Sequence, residues 1–183
     1  MEVAKQYFNT LVDTIRAIDV EQVDNAVRLI NTAWKKNKQI ICFGNGGSAL
    51  TAQHYIADWN TNIYLKTGRP FLGRCLVDNI GIVTAYANDL SYADLFVSQL
   101  KPILNQEDLL VGISGSGNSE NVLRAIEYGK KQGAVTLGVV GYDGGKLKSL
   151  ADYIVWVPIN DMQMTENLHL IFGHIVMRML CEM

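Results

Sequence analysis

Two short runs in this chain gather residue types suited to holding an anion. One is Ser114-Gly115-Ser116-Gly117-Asn118-Ser119-Glu120, three hydroxyls and two glycines placed directly before the helical pattern NVLRAIEYGKKQG. Free backbone N–H groups, the positive end of a helix dipole and hydroxyl donors in one concavity make a phosphate cradle. A helix cap needs one hydroxyl, and this loop offers three. The GK[ST] lysine of a P-loop is missing, so a monophosphate ester suits the loop better than a nucleoside triphosphate. The other run, Gly44-Asn45-Gly46-Gly47-Ser48-Ala49, formally satisfies the GxGxxA dinucleotide fingerprint. That fingerprint requires an acid about 20 residues on, whereas Asp78 lies 34 residues after Gly44. A tight strand-to-helix turn without a ligand is the alternative for this run.

The chain has only three histidines, His54, His169 and His174, each in a segment of helical periodicity. His54 and Asp58 are spaced i, i+4 and so share a helix face. Glu166 and His174 are eight apart, ~80° around the axis and ~12 Å along it, so only long side chains leaning together could meet at one ion. A set of histidines and carboxylates suits zinc or a general acid/base pair. Each histidine alone reads as a surface or core-edge residue; the company of a phosphate loop favours the chemical reading.

The elements that must position these residues follow from periodicity. Helical spacing of Val3, Tyr7, Leu11 and Ile15, then of Val23, Val27, Ile30 and Trp34, predicts two amphipathic helices over Met1–Ile18 and Val20–Asn37. Apolar runs at Gln39–Phe43, Phe71–Val77, Asp108–Ile113, Val135–Val140 and Tyr153–Val157 predict five strands buried on both faces. Between them helices are expected near Ser48–Trp59, Ile80–Ala87, Tyr92–Leu100, Ser119–Gln132 and Lys146–Leu150, with a last one from Met162 to Met183. Strands alternating with helices predict an α/β fold, a doubly wound five-stranded parallel sheet in one domain over residues 1–183. In such a sheet ligands bind beyond the carboxyl ends of the strands, where both loops fall. The last helix is apolar on more than one face, with Leu168, Ile171, Phe172, Ile175, Val176, Met179 and Leu180, so a partner must cover part of it. A homo-oligomer, with a site shared between subunits, is the expectation.

Composition narrows the classes further. With 183 residues, 16 basic and 18 acidic side chains, and a pI near 5.9, the chain has no basic surplus to drive nucleic-acid binding. Cys42, Cys75 and Cys181 form no CxxC pair and are odd in number, against a disulfide framework or a zinc ribbon. No stretch reaches the ~18 apolar residues of a membrane span, and the start MEVAKQYFNT has no apolar block. A cytoplasmic protein is expected.

The blocks GNGGSA, AQHYIAD, YAND, ISGSGNS, GYDGGKLKSLADYIVWVP and ENLHLIFGH together resemble the phosphoheptose isomerase branch of the sugar isomerase (SIS) family, over nearly the whole chain. The resemblance implies a flavodoxin-like SIS fold whose two opening helices and long last helix form the core of a homotetramer. It implies that Asn45, Gly46, Gly47 and Ser48 line the sugar, that Asn88 and Asp89 approach it, and that Ser114, Gly115, Ser116 and Ser119 hold its phosphate. It places the family's metal and catalytic positions on His54, Asp58, Glu166 and His174, with Zn2+ as the ion, Asp58 as base and His174 as acid. The family carries Glu where Asp58 stands and Gln where Glu166 stands; the added anion should hold a divalent cation more firmly. The implied reaction converts sedoheptulose 7-phosphate to D-glycero-D-manno-heptose 7-phosphate through an enediol, for lipopolysaccharide or capsule. An isomerase or epimerase on another sugar phosphate, or a non-catalytic SIS adaptor module, are the alternatives.

Overall fold

The apolar runs become one parallel sheet made of β1 (Ile40–Gly44), β2 (Gly73–Cys75), β3 (Leu109–Ser114), β4 (Val135–Val140) and β5 (Tyr153–Trp156), in the order β2-β1-β3-β4-β5. The computed structural model describes residues 2–182, so the helix ends expected at Met1 and Met183 lie outside the described residues. The helices are α1 (Glu2–Ala17), α2 (Val20–Lys35), α3 (Gly47–Asp58), α4 (Tyr64–Thr67), α5 (Ile80–Asp89), α6 (Leu95–Leu100), α7 (Glu120–Lys131), α8 (Gly145–Leu150) and α9 (Met162–Glu182). None of those described is long and apolar enough to cross a membrane.

Strand alternation sorts the core into two layers. Ile40, Cys42, Leu109, Val111, Ile113, Leu137 and Val139 turn to one face, where α2, α3 and α9 pack on them. Ile41, Phe43, Leu110 and Val140 turn to the other, against α6, α7 and α8. Phe172, Val176 and Leu180 form one buried row on α9, spaced by four. At about 1.5 to 3 kcal/mol for each fully buried side chain of this size, that row holds α9 to the sheet. Its opposite flank, with Ile171, Ile175 and Met179, is exposed. So is most of α1, in which Thr14 alone is buried while Val3, Phe8, Val12 and Ile15 face outward.

Three expectations need adjusting. The strand expected over Phe71–Val77 pairs only at Gly73–Cys75, because β2 is the sheet edge and Asn60 occupies its outer side. Asn60 Nδ2 donates to the Gly73 carbonyl at 3.1 Å, and its Oδ1 accepts from the Gly73 N–H at 3.0 Å. The helix expected to end at Trp59 continues through a π-helical turn, Trp59–Ile63, into α4, and stops at Gly68 with φ +70°. The segment Tyr92–Leu100 is two pieces, a 3₁₀ turn (Tyr92–Asp94) and α6, since the Ser91 hydroxyl accepts from the Asp94 N–H and tightens the start.

Since β1 and β3 are neighbours although β2 intervenes in sequence, the strand order reverses between them. The crevice at such a point receives ligands. The two loops singled out by composition close its rim.

Candidate functional site

The loop after β3 is a tight turn shaped by its glycines. Gly117 has φ +66°, and a Cβ there would overlap the Gly144 carbonyl, so the turn requires glycine at both counts. Asn118 braces it from the rim, its Nδ2 donating to the Ser116 carbonyl at 3.0 Å and its Oδ1 accepting from the Lys146 N–H at 3.1 Å. Ser119 precedes α7 but makes no capping bond. Its hydroxyl instead accepts from the buried Ser114 Oγ at 3.1 Å. The Ser116 Oγ accepts from the Asn118 N–H at 3.3 Å. The Asn121 side chain takes the Val122 N–H at 3.0 Å, and the N–H groups ahead of it lie beside three hydroxyls, an arrangement that suits a phosphate oxygen.

The loop after β1 lies beside it. Gly46 has φ +54° and precedes α3 without any side-chain cap. Asn45 makes a reciprocal amide pair with Asn121 of α7, both bonds 2.9 Å, and its Oδ1 also accepts from Tyr92 Oη at 2.8 Å. These contacts tie the two loops together across the switch point. Asn121 is 2% exposed. Neither Asn121 nor Tyr92 stands out in the sequence, although a polar residue on an otherwise apolar helical stripe (Asn121, Val122, Ala125, Ile126) is a usable signal. Asn45 and Gly46 line a cleft of about 260 Å³ together with Leu50, Gln53, Val77 and Tyr92. Ser48 is buried in the first turn of α3.

On the outer flank of α3 and α9, three side chains converge. His54 Nε2 and His174 Nε2 stand 3.1 Å apart, and Asp58 Oδ2 is 3.4 Å from the first and 3.7 Å from the second. Four ligands in a tetrahedron around zinc, with bonds of 2.0 to 2.2 Å, sit about 3.3 to 3.5 Å from one another. The triangle's edges, 3.1, 3.4 and 3.7 Å, bracket those of one face of such a tetrahedron. Asp58 Oδ1 faces away and accepts from Asn62 Nδ2 at 3.4 Å. The group is reachable: His54 and His174 are 45% and 47% exposed and Asp58 is 25% exposed.

Glu166 stands apart from this group of described ligand atoms. Its carboxylate lies over the Gly47 α-carbon, where a Cβ would overlap it, so the extra anion sits at the first loop. The eight-residue offset along α9 explains the separation, since Glu166 and His174 leave the helix more than two turns apart. Asn88 and Asp89 are exposed at the end of α5, where Asn88 Nδ2 donates to Asp89 Oδ1 at 2.8 Å, and neither lines the cleft. The third histidine, His169, is 1% exposed. Burial pulls its imidazole down to about 4, so it is neutral at physiological pH.

Comparison with known proteins finds relatives over most of the chain. The sequence profile of the SIS domain matches residues 5–141. A phosphoheptose isomerase of Clostridium acetobutylicum is 35% identical over 158 residues, covering 86% of this chain and 80% of that protein. That of Helicobacter pylori strain P12 is 41% identical, covering 81% and 76%. A probable phosphoheptose isomerase of Thermoplasma acidophilum is 33% identical over 98% of both chains. The solved phosphoheptose isomerase of Neisseria gonorrhoeae superposes with a TM-score of 0.91 at 26% identity, covering all of this chain and 98% of that one.

Proposed function

The chain belongs to the SIS domain family, and on that premise we propose that it is a phosphoheptose isomerase, interconverting sedoheptulose 7-phosphate and D-glycero-D-manno-heptose 7-phosphate. The observation that carries this reading is the convergence of His54, Asp58 and His174 in a chain whose β3 loop is shaped for a phosphate. A ketose and an aldose phosphate interconvert by removal of a carbon-bound proton beside a carbonyl, protection of the enediol, and return of the proton to the next carbon. Asp58 takes and returns that proton through Oδ1, the oxygen turned away from the histidines. His174 moves protons between the two enediol oxygens. Ser114, Ser116 and Ser119 fix the phosphate, while Asn45, Gly46 and Gly47 line the sugar, with Asn88 and Asp89 approaching it from the end of α5. The test is a coupled assay with sedoheptulose 7-phosphate beside a panel of other ketose phosphates; turnover of another sugar phosphate alone would overturn the assignment. The setting that fits is the cytoplasm, supplying heptose for lipopolysaccharide or capsule.

His54, Asp58 and His174 would hold a divalent ion, Zn2+ by the spacing of their atoms. Bound there, it would polarise the substrate carbonyl or order the site. Metal analysis of protein purified without chelator should find about one zinc per subunit, lost in His54→Ala. Equal metal in the two proteins would remove His54 from the ligand set.

The serine assignment predicts that Ser114→Ala and Ser116→Ala each weaken sugar-phosphate binding by about 1 to 3 kcal/mol, the scale for losing a hydrogen bond to a charged acceptor. An unchanged KM in both would sink it. The assembly is read as a homotetramer built on α1, α2 and α9, whose exposed apolar flanks need a partner. From Gly47 to His54 along α3 is a rise of ~10 Å, away from the cradle, which suits a site completed by a neighbouring subunit. Because Asp58 and His174 meet within one chain, mixing Asp58→Asn with His174→Ala subunits should restore no activity, while solution mass should give four chains.

A further inference from the structure

Each of the three convergent side chains is the chain neighbour of a residue in a buried hydrogen bond between α3 and α9. Tyr55, next to His54, donates its phenol O–H to the His169 carbonyl. Trp59, next to Asp58, donates its indole N–H to the Gly173 carbonyl at 3.0 Å, and Gly173 precedes His174. Both donors are fully buried. Their rings stack at 4.8 Å and 21°, and Phe172 meets the Tyr55 ring edge-on at 6.1 Å. Gly173 lies so close to the Tyr55 ring that a Cβ would enter it.

The donors are four apart, Tyr55 on α3 and Trp59 at the start of the π-helical turn that continues it, and the acceptors are four apart on α9. The two bonds therefore form a ladder with rungs separated by about 6 Å. A mid-helix carbonyl has a second lone pair beyond the one used by its helical N–H, so both acceptors receive these bonds at no loss to α9. A slide or roll of one helix against the other would break both rungs. By contrast, His54 and His174 are half exposed and are held in place by little packing of their own.

We propose that Tyr55 and Trp59 are positioning residues: their bonds to the His169 and Gly173 carbonyls set the spacing of His54, Asp58 and His174. This rests on the functional reading above. The π-helical turn starts at Trp59, so regular α-helical hydrogen bonding gives way just past Asp58, and the Trp59 bond anchors that end.

Tyr55→Phe separates positioning from packing, because the ring stays and only the hydroxyl goes. Co2+ titration, read by its visible absorption, reports the metal group without turnover, and steady-state kinetics report the reaction. Supporting partners of metal ligands typically change affinity 10- to 100-fold when lost. Tyr55→Phe should therefore raise the Co2+ Kd about tenfold and lower kcat with KM for the sugar phosphate held within about twofold. Trp59→Phe should act in the same direction. Ile30→Val, a change in the same core away from the ladder, should lower Tm yet leave both readouts alone. Wild-type Co2+ affinity and kcat in Tyr55→Phe would overturn the ladder alone, as would an equal loss in Ile30→Val. A wild-type protein that neither binds Co2+ nor isomerises the sugar would overturn the functional reading and the ladder with it.

Discussion

Asp58→Asn should yield a folded protein whose turnover is lower by at least a hundredfold, since a positioned general base contributes roughly 10² to 10⁴ in rate. The change keeps side-chain volume and geometry. What it removes is the negative charge lying 3.4 Å from His54 Nε2 and 3.7 Å from His174 Nε2, together with the lone pair that would take the proton. Asp58 is partly exposed and, among the described residues, has no lysine or arginine within ion-pair distance, so little stability depends on it. Circular dichroism and Tm should accordingly match the wild type. Asp58→Glu separates two accounts of the shorter acid. If the site has tightened around Asp58, the extra methylene disturbs the 3.1 Å contact of the histidines and activity falls. If the short side chain is a handicap, activity rises. Full activity in Asp58→Asn would transfer the base role to His174.

Stability should fall steeply on mild acidification, and one residue should account for much of the loss. His169 titrates about 4 in the folded chain against 6.5 in the open one, chiefly because burial disfavours the imidazolium. Among the described residues, its two ring nitrogens and the Thr165 hydroxyl one turn earlier have no hydrogen-bond partner. A folded value below the unfolded one means that the unfolded chain takes up the proton first. The contribution is harmless above pH 6.5, grows as pH falls towards 4, and is constant below that. Across the window it amounts to about 3 kcal/mol, at 1.36 kcal/mol per unit. Denaturant unfolding of the wild type and His169→Leu checks this. The variant should stay within about 1 kcal/mol of the wild type at neutral pH and exceed it by about 2 to 3 kcal/mol near pH 4.5. Parallel pH profiles for the two proteins would show that acid sensitivity arises elsewhere.

The sheet and its helices were legible in the sequence because each depends on local periodicity. Apolar runs mark the five strands and glycines mark the loops after β1 and β3. The limits of that reading are physical as well. In WNTNI the apolar Trp59 and Ile63 continue the spacing of Tyr55, but that spacing does not show that the turn is π-helical or that Trp59 reaches Gly173, more than a hundred residues away. Tyr55 reads as one more core aromatic, since periodicity reports that a side chain is buried and not which carbonyl its hydroxyl meets. The i, i+4 spacing of His54 and Asp58 was a local fact and held, and His174 joined them. Glu166 did not, because its position is decided by how α9 crosses the loop at Gly47, a tertiary relation that helical spacing does not contain.

The placement of α9 also governs when the protein becomes functional as it is made. The helix is synthesised after every strand of the sheet, yet it buries Phe172, Val176 and Leu180 against the same layer as α2 and α3 and supplies His174. A nascent chain ending before α9 exposes the apolar face of β1 and β3 and lacks one corner of its chemistry. Domains commonly complete folding as units during synthesis. Here final closure of the core and the meeting of His174 with His54 and Asp58 are a single event, so a ribosome-bound fragment without α9 should be prone to aggregate and should lack that cluster.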